Sequence, residues 1–417
     1  MMVSHPRLQG LLLDLLGQKH LDPSQLLDRL EDAHWQTLLT MARQHRMEPM
    51  LHWQLRHRHN HVAVPVAIRT HLANCHKRST LRSLRLQAEL LRIHRLLEAA
   101  GIAHIALKGA FLAFFAYPQS GLRPMRDLDI LVPADCALRA FQLLLDAGLE
   151  RMEATPGEPE TWMLEHRHLP PLQTAQRIII ELHTSLYDPV NISGGHPVEV
   201  TTDLWSRATQ ASIAGENIAY LSSSDLLLHL IVHSIYQHRL DNGPLVLSDV
   251  AYLLHKQTID WPLFWVLAEK GGYRPGCLLL LKVAQADYPS LTIKWPVTAS
   301  DDRMPSAALI GSTRLLILRD FESRNSTYLR RAIQDDKSLS GKIRLLARKL
   351  FPSRQQLFKQ HGRSPGVLGL PGIYLRQWQW VLRQRLPQYL KSVCLPRLRS
   401  EISQLAELDK WLDGKHY

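Results

Sequence analysis

Cysteine is scarce in this sequence, with four in 417 residues: Cys75, Cys136, Cys277 and Cys394. They are scattered, with no CxxC pair and no Cys/His metal spacing, which argues against a disulfide framework or a zinc site and suits a reducing cytosol. Long apolar runs are missing as well. The most apolar window, residues 101–118, is interrupted by His104, Lys108 and a glycine turn, and residues 226–235 are too few to cross a bilayer. The first 20 residues hold a short leucine-rich run without a basic region, a long apolar core or a small-residue cleavage site, and read as an amphipathic helix, not a signal peptide. Internal repeats and low-complexity tracts are absent. Acidic residues are absent from one long stretch, residues 337–400.

What is present begins with RPMRDLDILV at residues 123–132. Leu128, Ile130, Leu131 and Val132 favour a strand, and its period of two then sets Asp127 and Asp129 on the same face. Adjacent carboxylates repel. A proton, arginines or a divalent metal relieve the repulsion, and hard oxygen ligands of this kind suit Mg²⁺ together with phosphates. Replacing both aspartates is therefore expected to leave folding nearly intact. Upstream, residues 88–112 read AELLRIHRLLEAAGIAHIALKGAFL: a helical pattern through Leu97, a Gly101 stop, an apolar segment over 102–107, then Lys108 and Gly109 opening another apolar stretch. A glycine at a strand-to-helix turn lets backbone amides approach a phosphate, and Lys108 beside it is suited to hold a phosphate oxygen. Downstream, RIIIELH at 177–183 alternates so that Ile179, Glu181 and His183 share a face. Glu181 is thus available as a third carboxylate, and His183 as a group that orients a carboxylate or phosphate. Arg123 and Arg126 stand just before the aspartates, suited either to neutralising phosphates or to offsetting the acidic pair.

The strand, glycine turn, helix, DxD strand and later acidic strand together resemble the nucleotidyltransferase fold of the DNA polymerase β superfamily. More narrowly, LKGAFLAFFAYPQSGLRPMRDLDILV and IELH resemble an uncharacterised bacterial nucleotidyltransferase family. The similarity extends through MARQHRMEPML (41–51), DLLLHLIVHSIYQHR (225–239) and SDVAYLLHKQTIDW (248–261), covering roughly residues 30–290. The resemblance implies an α+β fold, in which a small mixed sheet with helices is flanked by N-terminal and C-terminal helical regions. It implies Asp127, Asp129 and Glu181 as catalytic ligands of Mg²⁺ or Mn²⁺, with Lys108, Gly109, Arg123, Arg126 and His183 as substrate-binding residues. It also implies a nucleoside triphosphate as substrate, with in-line transfer of the monophosphate to a hydroxyl acceptor and loss of pyrophosphate. Gly109-Ala110 departs from the Gly-Ser or Gly-Gly of many members of the wider superfamily, so no serine hydroxyl serves a phosphate there. A non-catalytic nucleotide-binding or accessory protein that retains the fold is the alternative. Retention of three mutually repelling carboxylates favours the enzyme.

These readings divide the chain into an N-terminal helical region (1–100), the nucleotidyltransferase core (101–220), a helical domain (221–300) and a basic, mostly helical C-terminal region (301–417). Apolar stripes in the first include Leu26, Leu27 and Leu30, then Leu81, Leu84, Leu86, Leu90 and Leu91, and ATPGEPE at 154–160 reads as a loop. In the helical domain a serine near Ser224 is expected to cap one helix, and another is expected to start at 248–255. His229 and His233, four apart with no glutamate between them in a zinc-protease pattern, read as packing residues. Asp249 reads as a charge near a helix N-terminus.

Residues 303–417 hold 22 Lys plus Arg against 8 Asp plus Glu, a net +14, while the preceding 302 residues carry −2. Within the acid-free stretch, Tyr374, Trp378, Trp380 and Tyr389 interleave with Arg376, Arg383, Arg385 and Lys391. Such a segment suits an anionic membrane surface, nucleic acid, or a solvated helical tail. KIRLLARKLF (342–351) and GIYLRQWQWVLRQRL (372–386) look amphipathic, which favours the membrane surface and a cytoplasmic protein peripheral at its inner face.

Overall fold

A computed structural model describes residues 5–17, 30–60, 62–152, 158–187, 200–201, 203–296, 304–319 and 396–413, with isolated positions between 372 and 383. Leu26, Leu27, most of the 154–160 loop and nearly all of the basic 337–400 stretch, for which the sequence raises expectations, lie outside those residues. The chain divides into two compact units, one formed by Met1–Arg151, Glu158–Leu318 and Lys410–Tyr417, the other by Met152–Gly157 and Arg319–Asp409. The first unit carries the sheet and the site.

Among the described residues four helices precede the sheet: α1 (His5–Leu16), α2 (Asp32–Gln44), α3 (Glu48–His57) and α4 (Val66–Ala99). The long α4 ends where Gly101 adopts a φ of 63°, a conformation that costs glycine little. Its core stripe is Leu86, Leu90, Ile93 and Leu97, all buried, whereas Leu81 and Leu84 are half exposed. At 100° per residue Leu84 stands about 200° from Leu86, so the two lie on opposite faces, and the expected stripe splits there.

The sheet is mixed and seven-stranded: β1 (Ile105–Ala106), β2 (Asp127–Leu131), β3 (Glu150–Arg151), β4 (Leu172–Gln173), β5 (Ile179–His183), β6 (Thr209–Ile213) and β7 (Glu216–Tyr220). Its spatial order is β3-β4-β5-β2-β1-β7-β6. β2 pairs antiparallel with β1 and parallel with β5, so the two acidic strands are neighbours near the middle. Helix α4 packs on β2, and α5 (Ala137–Asp146) packs on β5.

Beyond the sheet, and after the short helices α6 (Pro159–Glu165) and α7 (Leu204–Arg207) within it, the described residues form the helices α8 (Ser223–Val232), α9 (Leu245–Lys256), α10 (Trp261–Lys270), α11 (Arg274–Asp287), α12 (Ala307–Ile317) and α13 (Pro396–Leu412). Side-chain caps start three of them. Ser222 Oγ accepts from Asp225 N at α8, Asp260 from Leu263 N at α10 and Ser306 from Leu309 N at α12. Helices α8 to α11 pack on one another, and α9 also packs on the π-helical turn Leu112–Ala116 that follows β1. Among the described residues no helix is long and apolar enough to cross a membrane.

Candidate active site

The parallel register of β2 and β5 sets Asp127 opposite Ile179, Asp129 opposite Glu181 and Leu131 opposite His183. Alternate residues of a strand share a face, so Asp127, Asp129, Glu181 and His183 converge on one side while Leu128, Ile130, Ile180 and Leu182 are buried on the other. His183 Nε2 donates to Asp129 Oδ1 at 2.9 Å and lies 3.5 Å from Glu181 Oε2. The Lys108 ammonium stands 3.2 Å from Asp129 Oδ2, so both oxygens of that carboxylate face a cationic or hydrogen-donating group.

The two aspartates are consequently unlike. Burial, then the charges of Asp129 and Glu181, push the Asp127 carboxyl up to about 6. Burial acts in the same sense on Asp129, but Lys108 and the hydrogen bond from His183 outweigh it and hold that carboxyl well below the usual range. His183 is raised: burial opposes its charge, and the hydrogen bonds to Asp129 and Glu181 overcome that opposition.

Lys108 reaches its position through a strained turn. Its φ is 43°, in the left-handed region that side chains other than glycine rarely adopt, a strain of roughly 1–3 kcal/mol of the kind that gathers at functional sites. Gly109 follows, and a Cβ there would meet Arg123 Nη1 at 2.5 Å and Met125 Sδ at 3.0 Å. The glycine is needed because these side chains press against the turn.

Arg123 is turned to Asp249 behind this turn, and its positive charge still acts on the Asp127 carboxyl, which it lowers. It is buried, and its Nε and Nη2 donate to Asp249 Oδ1 and Oδ2 at 2.7 and 2.8 Å, while Tyr117 Oη donates to Oδ1 at 2.7 Å. Asp249 is correspondingly no helix-terminal charge. α9 begins at Leu245, and the aspartate sits within it as the buried partner of Arg123. Arg126 is exposed, and its backbone carbonyl, like that of Met125, accepts from the Arg82 guanidinium on α4.

Two further histidines face this cluster from α8 and the π-helical turn His233–Gln237 that continues it. Burial, then the charge of Lys108, hold both His229 and His233 well below the ordinary imidazole value. His233 Nδ1 bonds Gln237 Oε1 at 2.9 Å, and neither ring nitrogen of His229 has a hydrogen-bond partner. The π-helical turns Leu112–Ala116 and His233–Gln237 thus flank the cluster, a common placement at functional sites.

Of the residues singled out by sequence, the structure brings Lys108, Asp127, Asp129, Glu181 and His183 together, with Gly109 behind them. The part played by Tyr117 and Asp249 was missed. Its one sequence signal is an aspartate within the apolar run LVLSDVAYLL. Ligand atoms of Asp129, Glu181 and His183 lie within 4.8 Å of one another. The oxygen-rich donor set and the raised Asp127 carboxyl, where negative charge exceeds what Lys108 and His183 offset, fit a hard divalent cation.

A family model described as "Uncharacterised nucleotidyltransferase" matches residues 31–289. Among solved structures, the solution structure of the antibiotic-resistance factor ANT(2'')-Ia is similar over 45% of this chain and 91% of its own, at 9% identity and a TM-score of 0.31. No curated protein matches the chain.

Proposed function

The chain belongs to the family of uncharacterised nucleotidyltransferases, and from that premise we propose that it moves a nucleoside monophosphate from a triphosphate to a hydroxyl acceptor at the Asp127, Asp129 and Glu181 cluster. The observation that carries this reading is the register that sets Asp129 opposite Glu181 with Asp127 on the same face. Those three residues would hold Mg²⁺ or Mn²⁺, which when bound neutralises triphosphate charge and lowers the pKa of the acceptor hydroxyl.

The chain's own groups do the rest. Lys108, on its strained turn beside the carboxylates, places a positive charge where phosphate oxygens gather. His183 fixes the Asp129 carboxylate by donating to it and stands 3.5 Å from Glu181. Arg123, paired with Asp249, acts as a brace beneath Gly109 and holds the turn at its distance from β2. The buried, polar flank of His229 and His233 borders the same space and is available to an acceptor or base. The basic, acid-free stretch 337–400 adds an anionic partner. Its amphipathic clusters favour membrane headgroups at the inner face over nucleic acid.

The test is incubation with each α-labelled nucleoside triphosphate and Mg²⁺ or Mn²⁺, comparing the wild type with Asp127→Asn plus Asp129→Asn. Label transfer or pyrophosphate release is expected from the wild type alone. Turnover that persists in the double variant would refute the assignment. Binding of a triphosphate by both proteins, with turnover by neither, would support the accessory-protein alternative.

A further inference from the structure

Outside the nucleotidyl cluster, three side chains of different chemistry converge where α3 meets α4. Glu48 is the first residue of α3, and His71 and Cys75 lie one turn apart on α4. His71 Nε2 is 2.9 Å from Glu48 Oε1 and 3.2 Å from Cys75 Sγ, and the sulfur is 3.5 Å from the same Glu48 oxygen. Arg43 Nη2 also lies 3.2 Å from His71 Nε2. One ring nitrogen carries either a proton or a lone pair. Here it faces a carboxylate oxygen that calls for the proton and a guanidinium that calls for the lone pair, so the one nitrogen cannot serve both.

A cation at the centre resolves the conflict, because imidazole, carboxylate and thiolate all direct lone pairs at it. The spacing agrees. Tetrahedral zinc with its usual bond lengths separates such ligand atoms by about 3.3–3.6 Å. The triangle of 2.9, 3.2 and 3.5 Å reaches that size with outward shifts of a few tenths of an ångström.

We propose that Glu48, His71 and Cys75 bind a divalent cation of the zinc type, with water in the fourth position. The mixed sulfur, nitrogen and oxygen set selects a borderline metal, unlike the carboxylate-rich nucleotidyl cluster. The site opens to solvent through the His71 side chain, which is 32% exposed. On binding, the Cys75 S–H bond breaks, the proton goes to solvent, and the sulfur pair forms the bond to the metal. Arg43, 58% exposed on a long stem, leaves Nε2. Arg78 Nη2, 3.0 Å from the sulfur, remains as a donor to the thiolate. The cysteine spacing suggests no zinc site because the ligands of this set come from two helices, and a histidine and cysteine four apart form no metal motif by themselves. The cation ties α3 to α4, the helix whose Arg82, about 10–16 Å further along, holds the carbonyls just ahead of Asp127.

The experiment is titration of the metal-stripped, full-length chain with Co²⁺, followed by Zn²⁺. One equivalent of Co²⁺ is expected to produce a thiolate-to-cobalt charge-transfer band and intense tetrahedral visible bands, both lost when Zn²⁺ is added. Cys75→Ser and His71→Ala should abolish the charge-transfer band, with circular dichroism unchanged. Asp127→Asn plus Asp129→Asn should keep it, which separates this site from the nucleotidyl one. No band from the wild type, or a band that persists in Cys75→Ser, overturns the proposal. Should Cys75→Ser unfold, alkylation of Cys75 in the wild type supplies the second reading: protection by Zn²⁺ supports the site, and equal labelling with and without Zn²⁺ refutes it.

Discussion

Asp127 and Asp129 are two residues apart, yet replacing them has opposite consequences. The folded chain raises Asp127 to about 6, above the usual carboxylate value of about 3.9, so the folded state binds that proton more tightly than the unfolded one. Its contribution to stability is present at low pH and is lost as pH rises from about 4 through about 6. Metal-free thermal melts across that window should fall with pH in the wild type, and Asp127→Asn should flatten the fall. Asp129 has the reverse sign: its lowered folded value adds stability above the ordinary carboxylate range, lost as pH drops. Asp129→Asn leaves Lys108 and His183 without their buried partner and should cost about 3 kcal/mol in urea denaturation. The small cost to folding expected from the sequence for both aspartates is accordingly predicted for Asp127 and not for Asp129. Protonation of Asp127 removes a ligand charge. Affinity of the free chain for Mg²⁺ should accordingly rise as pH climbs through about 6, which titration of the ion at a series of pH values would check.

At the scale of elements, α9 is joined to the turn after β1 by the buried Arg123, Asp249 and Tyr117 set. Breaking such a pair leaves one buried charge uncompensated. Asp249→Asn should cost about 3–5 kcal/mol by equilibrium unfolding and loosen the Lys108 turn, lowering turnover in the surviving folded fraction. Gly109→Ala tests the same brace from the other side. Its Cβ would displace the Arg123 guanidinium, so turnover should fall sharply while α9 and the sheet persist by circular dichroism. The acidic strands were legible in the sequence because alternation is local: Asp127, Asp129, Glu181 and His183 follow from a period of two. The brace was not, since Arg123 and Asp249 are 126 positions apart and each reads alone as an ordinary charge. The same holds for α4, where Leu81 and Leu84 look like core residues until the helix is placed against the sheet.

For the whole molecule, the mixed sheet flanked by helices was legible through the family resemblance that the strand-like and helical runs carry, whereas its seven-stranded extent was not, because β3 and β4 are two-residue strands without a pattern of their own. The charge asymmetry belongs to this scale too. If the basic stretch meets headgroups, the full-length chain should pellet with anionic vesicles at low salt and be released as salt rises, while neutral vesicles leave it in solution. One feature of the sheet bears on how the molecule forms. The β2 and β5 pairing that creates the carboxylate cluster is parallel and joins residues 52 positions apart, Asp129 to Glu181. Contacts of such separation close late, after local helices and hairpins have formed. The carboxylate cluster, the proposed cation site, is then expected to be missing from the folding transition state and present only in the finished chain. Mg²⁺ should accordingly slow unfolding in stopped-flow experiments and leave the refolding rate unchanged, making the ion a latch set after assembly and not a nucleus around which the chain collapses.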